Sequence, residues 1–95
     1  MKREAILVRR DTRYEIRTTL HEKMSDDSKH RARIFLHRGQ LAQAKAAYEQ
    51  AVADDRLSTN QGALSDSLGN LGNVCALSGD LDQAEACYRE VLTIQ

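Results

Sequence analysis

One pattern of glycine, leucine, alanine and tyrosine occurs twice in this chain and constrains its fold more than any other feature. Four residues recur at an offset of 40 positions: Gly39, Leu41, Ala44 and Tyr48 return as Gly79, Leu81, Ala84 and Tyr88. An internal repeat of this length is typical of proteins that stack copies of one small unit of secondary structure. The sequence therefore predicts two copies of one unit.

Each copy has the pattern of two helices joined by a short break. In residues 65–95, apolar side chains follow one another at helical steps of three and four on both sides of Ser78-Gly79-Asp80. Glycine adopts the left-handed conformation that ends many helices, and aspartate is a favourable first residue for the next one. Because the connection is so short, the two helices should lie antiparallel.

The second copy resembles a known repeat family. The positions that carry the resemblance are Leu68, Asn70, Leu71, Gly72, Asn73, Gly79, Asp80, Leu81, Ala84 and Tyr88. In this register the copy is similar to the tetratricopeptide repeat, a helix–turn–helix unit of about 34 residues. Cys75 and Val91 depart from the residues that are usual in the family. The longer spacing resembles the long-helix variants found in kinesin light chains and LGN-type scaffolds.

The expected fold is all-α, with two stacked antiparallel helical hairpins that form a short tetratricopeptide-like α-solenoid, preceded by a basic N-terminal arm. Its parts are the arm at 1–24, the first copy at 25–56, a linker at 57–64 and the second copy at 65–95. Ser25 and Ser65 are expected to begin helices, because serine and neighbouring acidic residues favour helix N-termini. In the arm, alternating β-branched residues favour an extended segment, whereas helical neighbours favour another helix.

Positive and negative charges are equal in number but unevenly placed. Residues 1–38 hold eleven Lys and Arg against six Asp and Glu, whereas residues 39–95 hold three against eight. Such asymmetry bears on partners or self-association rather than on fold. The basic arm leaves open an alternative function, that of a small nucleic-acid-associated or regulatory protein. Acidic residues interrupt the arm, however, which makes nucleic acid the less favoured partner.

Nothing in the sequence predicts catalysis, a metal site or a cofactor, and we expect a non-catalytic protein. His21, His30 and His37 lack the fixed spacing of a metal site or a catalytic triad. No apolar run is long enough for a signal peptide or a membrane span, so a cytoplasmic location with free thiols is expected. Cys75 lies on an apolar helix face, and Cys87 is expected to be more exposed.

The family resemblance implies that the chain binds another protein. In tetratricopeptide arrays the first helices of the repeats line a concave groove that holds an extended peptide or a partner helix. Carried onto this sequence, the polar groove positions are Lys29, His30, Arg33, His37, Asn70 and Asn73, with Asp26, Asp66, Gly69 and Leu77 completing the set. They indicate a positive groove suited to an acidic peptide or a free carboxyl terminus. The alternative is that these are ordinary solvated charges on a helix surface.

Self-association is a second expectation. Repeat arrays need about three units to bury a continuous core, and two are visible here. The last helix also carries an apolar end at Val91, Leu92 and Ile94. We therefore expect a homo-oligomer, most simply a two-fold dimer.

Overall fold

A computed structural model describes residues 20–21, 23–58 and 60–94, and helix is the only regular secondary structure in these ranges. The helices are α1 at 23–37, α2 at Leu41–Leu57, α3 at Gln61–Leu77 and α4 at Leu81–Ile94. Helix α3 packs against α2 on one side and against α4 on the other. The predicted all-α solenoid of helical hairpins is confirmed.

The two hairpins turn through the same backbone motif, as the repeat predicts. Gly39 and Gly79 have φ angles of 74° and 85°, in the left-handed region where a Cβ would be strained. The next amide donates to the carbonyl five residues earlier at 2.8 Å in each corner, from Gln40 to Phe35 and from Asp80 to Cys75. This bond pattern ends a helix and satisfies its last carbonyl groups.

The linker expected at 57–64 is largely helical. Helix α2 continues to Leu57, and α3 begins at Gln61, before the expected start at Ser65. The Asn60 side chain accepts a hydrogen bond from the amide of Ala63 at 3.0 Å and so caps α3 earlier along the chain. The residues that lengthen this repeat therefore extend its helices and leave only a short connection.

The first helix also begins earlier than expected. Ser25 lies within α1 rather than at its start, since Lys23 and Met24 precede it in the helix and residues 20 and 21 are helical as well. Its side chain is buried. These positions belong to the part of the chain that the sequence assigned to the arm. The rest of the arm, 1–19 and 22, lies outside the described residues, and so does the extended conformation expected there.

Small side chains allow the helices to approach closely. Ala32, Ala44 and Ala84 are buried in a core of aliphatic, alanine and cysteine side chains that runs through both copies. A Cβ added at Gly72 would lie 2.9 Å from Cε1 of Tyr88, so the tyrosine ring occupies the space that this glycine leaves. Gly72 therefore lets the Tyr88 ring of α4 approach the backbone of α3.

Both cysteines are buried free thiols, so the expected exposure of Cys87 is wrong. Cys87 follows Ala84 by one helical step and shares the face of α4 that packs on α3. Burial is the main influence on both thiols, and it raises the pKa of Cys75 and of Cys87.

Slow alkylation of both cysteines is expected in the folded protein. The thiolate is the reactive form, and a raised pKa reduces its population at neutral pH while burial excludes the reagent. An opening that costs about 3 kcal/mol slows labelling on the order of a hundredfold. Iodoacetamide labelling at pH 8, followed by mass spectrometry with and without urea, measures this difference. Equal rates in the two conditions would show that the α3–α4 interface does not protect the thiols.

Candidate functional site

A concave feature in the described part of the chain lies where the first helices of the two copies run side by side. Helices α1, α2 and α3 enclose a groove with a volume of about 550 Å³. Its lining residues are Asp26, Lys29, Arg33, Leu36, Tyr48, Asp66 and Asn70. The groove therefore occupies the joint between the two copies, where charged, amide, aromatic and aliphatic side chains meet.

The Lys29 side chain makes its contacts inside that joint, and the residue is only 8% exposed. Its Nζ lies 3.7 Å from Oδ2 of Asp55 and donates to the backbone carbonyl of Ala63 at 3.4 Å. The hydroxyl of Ser67 donates to the same carboxylate oxygen of Asp55. These contacts tie α1, the end of α2 and the beginning of α3 together, so the positive charge of Lys29 is already balanced.

Arg33 is the exposed cation of the groove. Its Nε donates to the backbone carbonyl of Lys29 at 3.4 Å, which holds the side chain along α1. Burial raises the pKa of the Tyr48 hydroxyl, and the nearby positive charge of Arg33 partly offsets that effect. The guanidinium of Arg33 is therefore close enough to the Tyr48 hydroxyl of α2 to influence its pKa.

The structure brings three of the six predicted polar residues together. Lys29, Arg33 and Asn70 line the groove, whereas His30 and His37 are exposed on α1 without lining it. Asn73 accepts a hydrogen bond from the Tyr88 hydroxyl and so faces α4 rather than the first copy. The predicted set is thus divided between this groove and other surfaces.

The charge of the groove is mixed rather than positive. Asp26 and Asp66 line it, and the ammonium of Lys29 is paired with Asp55. Leu36 and Tyr48 are the lining residues that the sequence did not indicate, because both fit a helix stripe directed into the core. The helical register could have indicated Tyr48 as a lining residue, because it places this side chain opposite the first helix of the next copy.

No group of three or more His, Cys, Asp or Glu side chains in the described ranges is arranged to hold a metal ion. Across the same part of the chain, no helix combines the length and the apolar character needed to cross a membrane.

A family model described as tetratricopeptide repeat matches residues 25–95, which include both copies. No match was found among curated proteins or among solved structures. The predicted family resemblance is confirmed, and its long-repeat subtype stays a prediction. Repeats of this family generally mediate protein–protein interaction and are generally non-catalytic.

Proposed function

We propose, from the fact that this chain belongs to the tetratricopeptide repeat family, that it captures a peptide segment of a partner protein in the groove between its two copies. The observation that supports this most is the exposed guanidinium of Arg33, which lines the groove together with the amide of Asn70 and the ring of Tyr48. Such a combination offers hydrogen bonds and an apolar contact within one concave surface.

The groove suits a peptide that places a carboxylate next to an apolar residue. Arg33 can bind a carboxylate through paired hydrogen bonds, and the Asn70 amide can donate to the same group or to the peptide backbone. Leu36, which is half-buried, offers apolar surface nearby, and the buried ring of Tyr48 forms the floor behind it. The carboxylate can belong to an acidic side chain or to a free C-terminus, while Asp26 and Asp66 disfavour peptides that are acidic throughout.

Reversal of charge at Arg33 is expected to remove this binding. A charge-assisted hydrogen bond contributes about 1.5–3 kcal/mol, so Arg33→Glu should weaken capture on the order of tenfold to a hundredfold. Fluorescence anisotropy with length-matched acidic, neutral and C-terminally amidated peptides measures the loss. Binding to the parent should also weaken with salt.

Arg38→Glu is the matched control, because Arg38 is exposed at the end of α1 and does not line the groove. It should leave peptide affinity close to that of the parent. If Arg33→Glu binds the same peptides as tightly as the parent, the groove is not the site. The basic arm around Arg9 to Arg17, on which the alternative function depends, would then be tested next.

We also propose a cytoplasmic location and self-association. A reducing compartment suits two buried free thiols. Large apolar side chains stay exposed in the second copy, including Leu77, Leu81 and Leu92. Surface of this kind favours association with another protein surface.

A further inference from the structure

Equivalent side chains in the two copies differ strongly in burial. Tyr48 is 3% exposed and its counterpart Tyr88 is 40% exposed, while Val52 is 7% exposed and its counterpart Leu92 is 73% exposed. The first copy is covered because α3 packs on α2. No described helix covers α4 in the same way. We name the uncovered stripe the rear face, which consists of Leu81, Glu85, Tyr88 and Leu92.

The opposite end of the stack shows the complementary difference. The side of α3 that packs on the first copy carries Leu64, Ser67, Leu71 and Val74, which are all buried. Their counterparts on α1 are exposed, with Met24 at 49% and Ile34 at 38%. We name this stripe the front face, which consists of Met24, Asp27, Arg31 and Ile34. Residues 20–21, 23–58 and 60–94 therefore display one surface of each type that is joined inside the stack and that no other described residue covers.

We propose that the front face of one chain packs on the rear face of a second copy, in the arrangement in which α3 packs on α2. The internal joint shows that a helix with this spacing covers the tyrosine and the aliphatic residue of the preceding copy. In the stack, Met24 and Ile34 would take the places of Leu64 and Val74 against Tyr88 and Leu92. We infer this mode on the basis of the self-association proposed above, and peptide capture does not depend on it.

A cleft on the front face supports the same arrangement. It has a volume of about 330 Å³ between α1 and α2, and its lining residues are Met24, Asp27, Ser28, Arg31, Gln50 and Asp54. In the second copy, the residue equivalent to Asp27 is Ser67, whose hydroxyl donates to the carboxylate of Asp55 at the end of α2. No described residue makes the equivalent contact with Asp27 in the first copy. In the proposed stack, the end of α4 from a second chain would lie beside this cleft, as the end of α2 lies beside Ser67.

Charge favours a head-to-tail contact over a two-fold one. Residues 23–38, which form α1 and its end, hold five Lys and Arg against two Asp, and residues 39–94 hold three Lys and Arg against eight Asp and Glu. A two-fold contact through the rear face would bring two acidic halves together, whereas a head-to-tail contact joins a basic half to an acidic one. Because the two joined surfaces differ, a stack always keeps one front face and one rear face uncovered at its ends. Further copies can therefore add to it.

Paired variants of the full chain test this mode. Sedimentation velocity of the parent should show a mean mass that keeps rising with concentration. Leu92→Glu blocks the rear face and Met24→Glu blocks the front face, so each variant alone should be monomeric. Mixed in equal amounts, they retain one intact surface of each type and should form a species of twice the monomer mass.

Leu57→Glu is the matched control, because Leu57 is exposed but belongs to neither face. It should associate like the parent, and circular dichroism should show unchanged folding for all three variants. A mixture that remains monomeric overturns the proposal. So does a dimer that Met24→Glu leaves intact and Leu92→Glu abolishes, since that result indicates a two-fold contact. Peptide affinity, measured on the same variants, should not change and reports separately on the groove.

Discussion

Replacement of Lys29 by methionine is expected to lower the free energy of unfolding by about 3 kcal/mol or more. The Asp55 side chain is fully buried, and its Oδ1 has no hydrogen-bond partner among the described residues. The other oxygen has the hydroxyl of Ser67 and the ammonium of Lys29 as its neighbours. Without the ammonium, a buried carboxylate would lose its compensating charge. Urea denaturation followed by circular dichroism measures the loss.

Two further variants show whether the loss arises from an unpaired charge. Lys29→Met combined with Asp55→Leu removes both charges, and it should recover most of the stability because buried pairs are often replaceable by apolar side chains. Lys45→Met is the matched control, since Lys45 lies 3.7 Å from Asp80 in a pair that is partly exposed. It should cost less than about 1 kcal/mol. Similar losses for Lys29→Met and Lys45→Met would contradict the buried pair.

Replacement of Ala84 by leucine is expected to lower stability by about 2 kcal/mol through overpacking. Ala84 is buried where α4 lies against α3, and its counterpart Ala44 is buried at the same place in the first copy. In a domain of this size, such a loss lowers the Tm by about 10 °C. Differential scanning calorimetry measures the shift.

Ala86→Leu provides the comparison within the same helix. Ala86 is exposed, so the added carbons meet solvent and helix propensity hardly changes. The Tm of this variant should stay within a few degrees of the parent value. An unchanged Tm for Ala84→Leu would mean that the assigned repeat register is wrong.

The repeat, its corners and its small residues could be predicted because their causes are local. A left-handed corner requires glycine, and Gly39 and Gly79 identify both corners directly. Regular spacing in the helices then places Ala44 and Ala84 on the packed face. The family register adds the groove, in which Arg33 and Asn70 do lie together.

The remaining features depend on contacts between segments. The sequence shows Lys29 on a polar helix face, but its pairing with Asp55 exists only because α2 is long enough to reach the joint. Asn60 and Ser65 are both good helix starts, and α3 begins directly after Asn60, so Leu64 lies within the helix and is buried in the core. Cys87 is buried by the neighbouring helix, which its own sequence context does not reveal.

The central position of α3 limits how far this part of the chain can change. Seven of its seventeen residues are buried, and they contact helices on both sides. A substitution on α2 or α4 disturbs one of these interfaces, whereas a substitution on the packed faces of α3 can disturb both. Variants selected for a new partner should therefore accumulate changes on α1, on the exposed side of α4 and at the groove positions of α3, while the buried residues of α3 are retained.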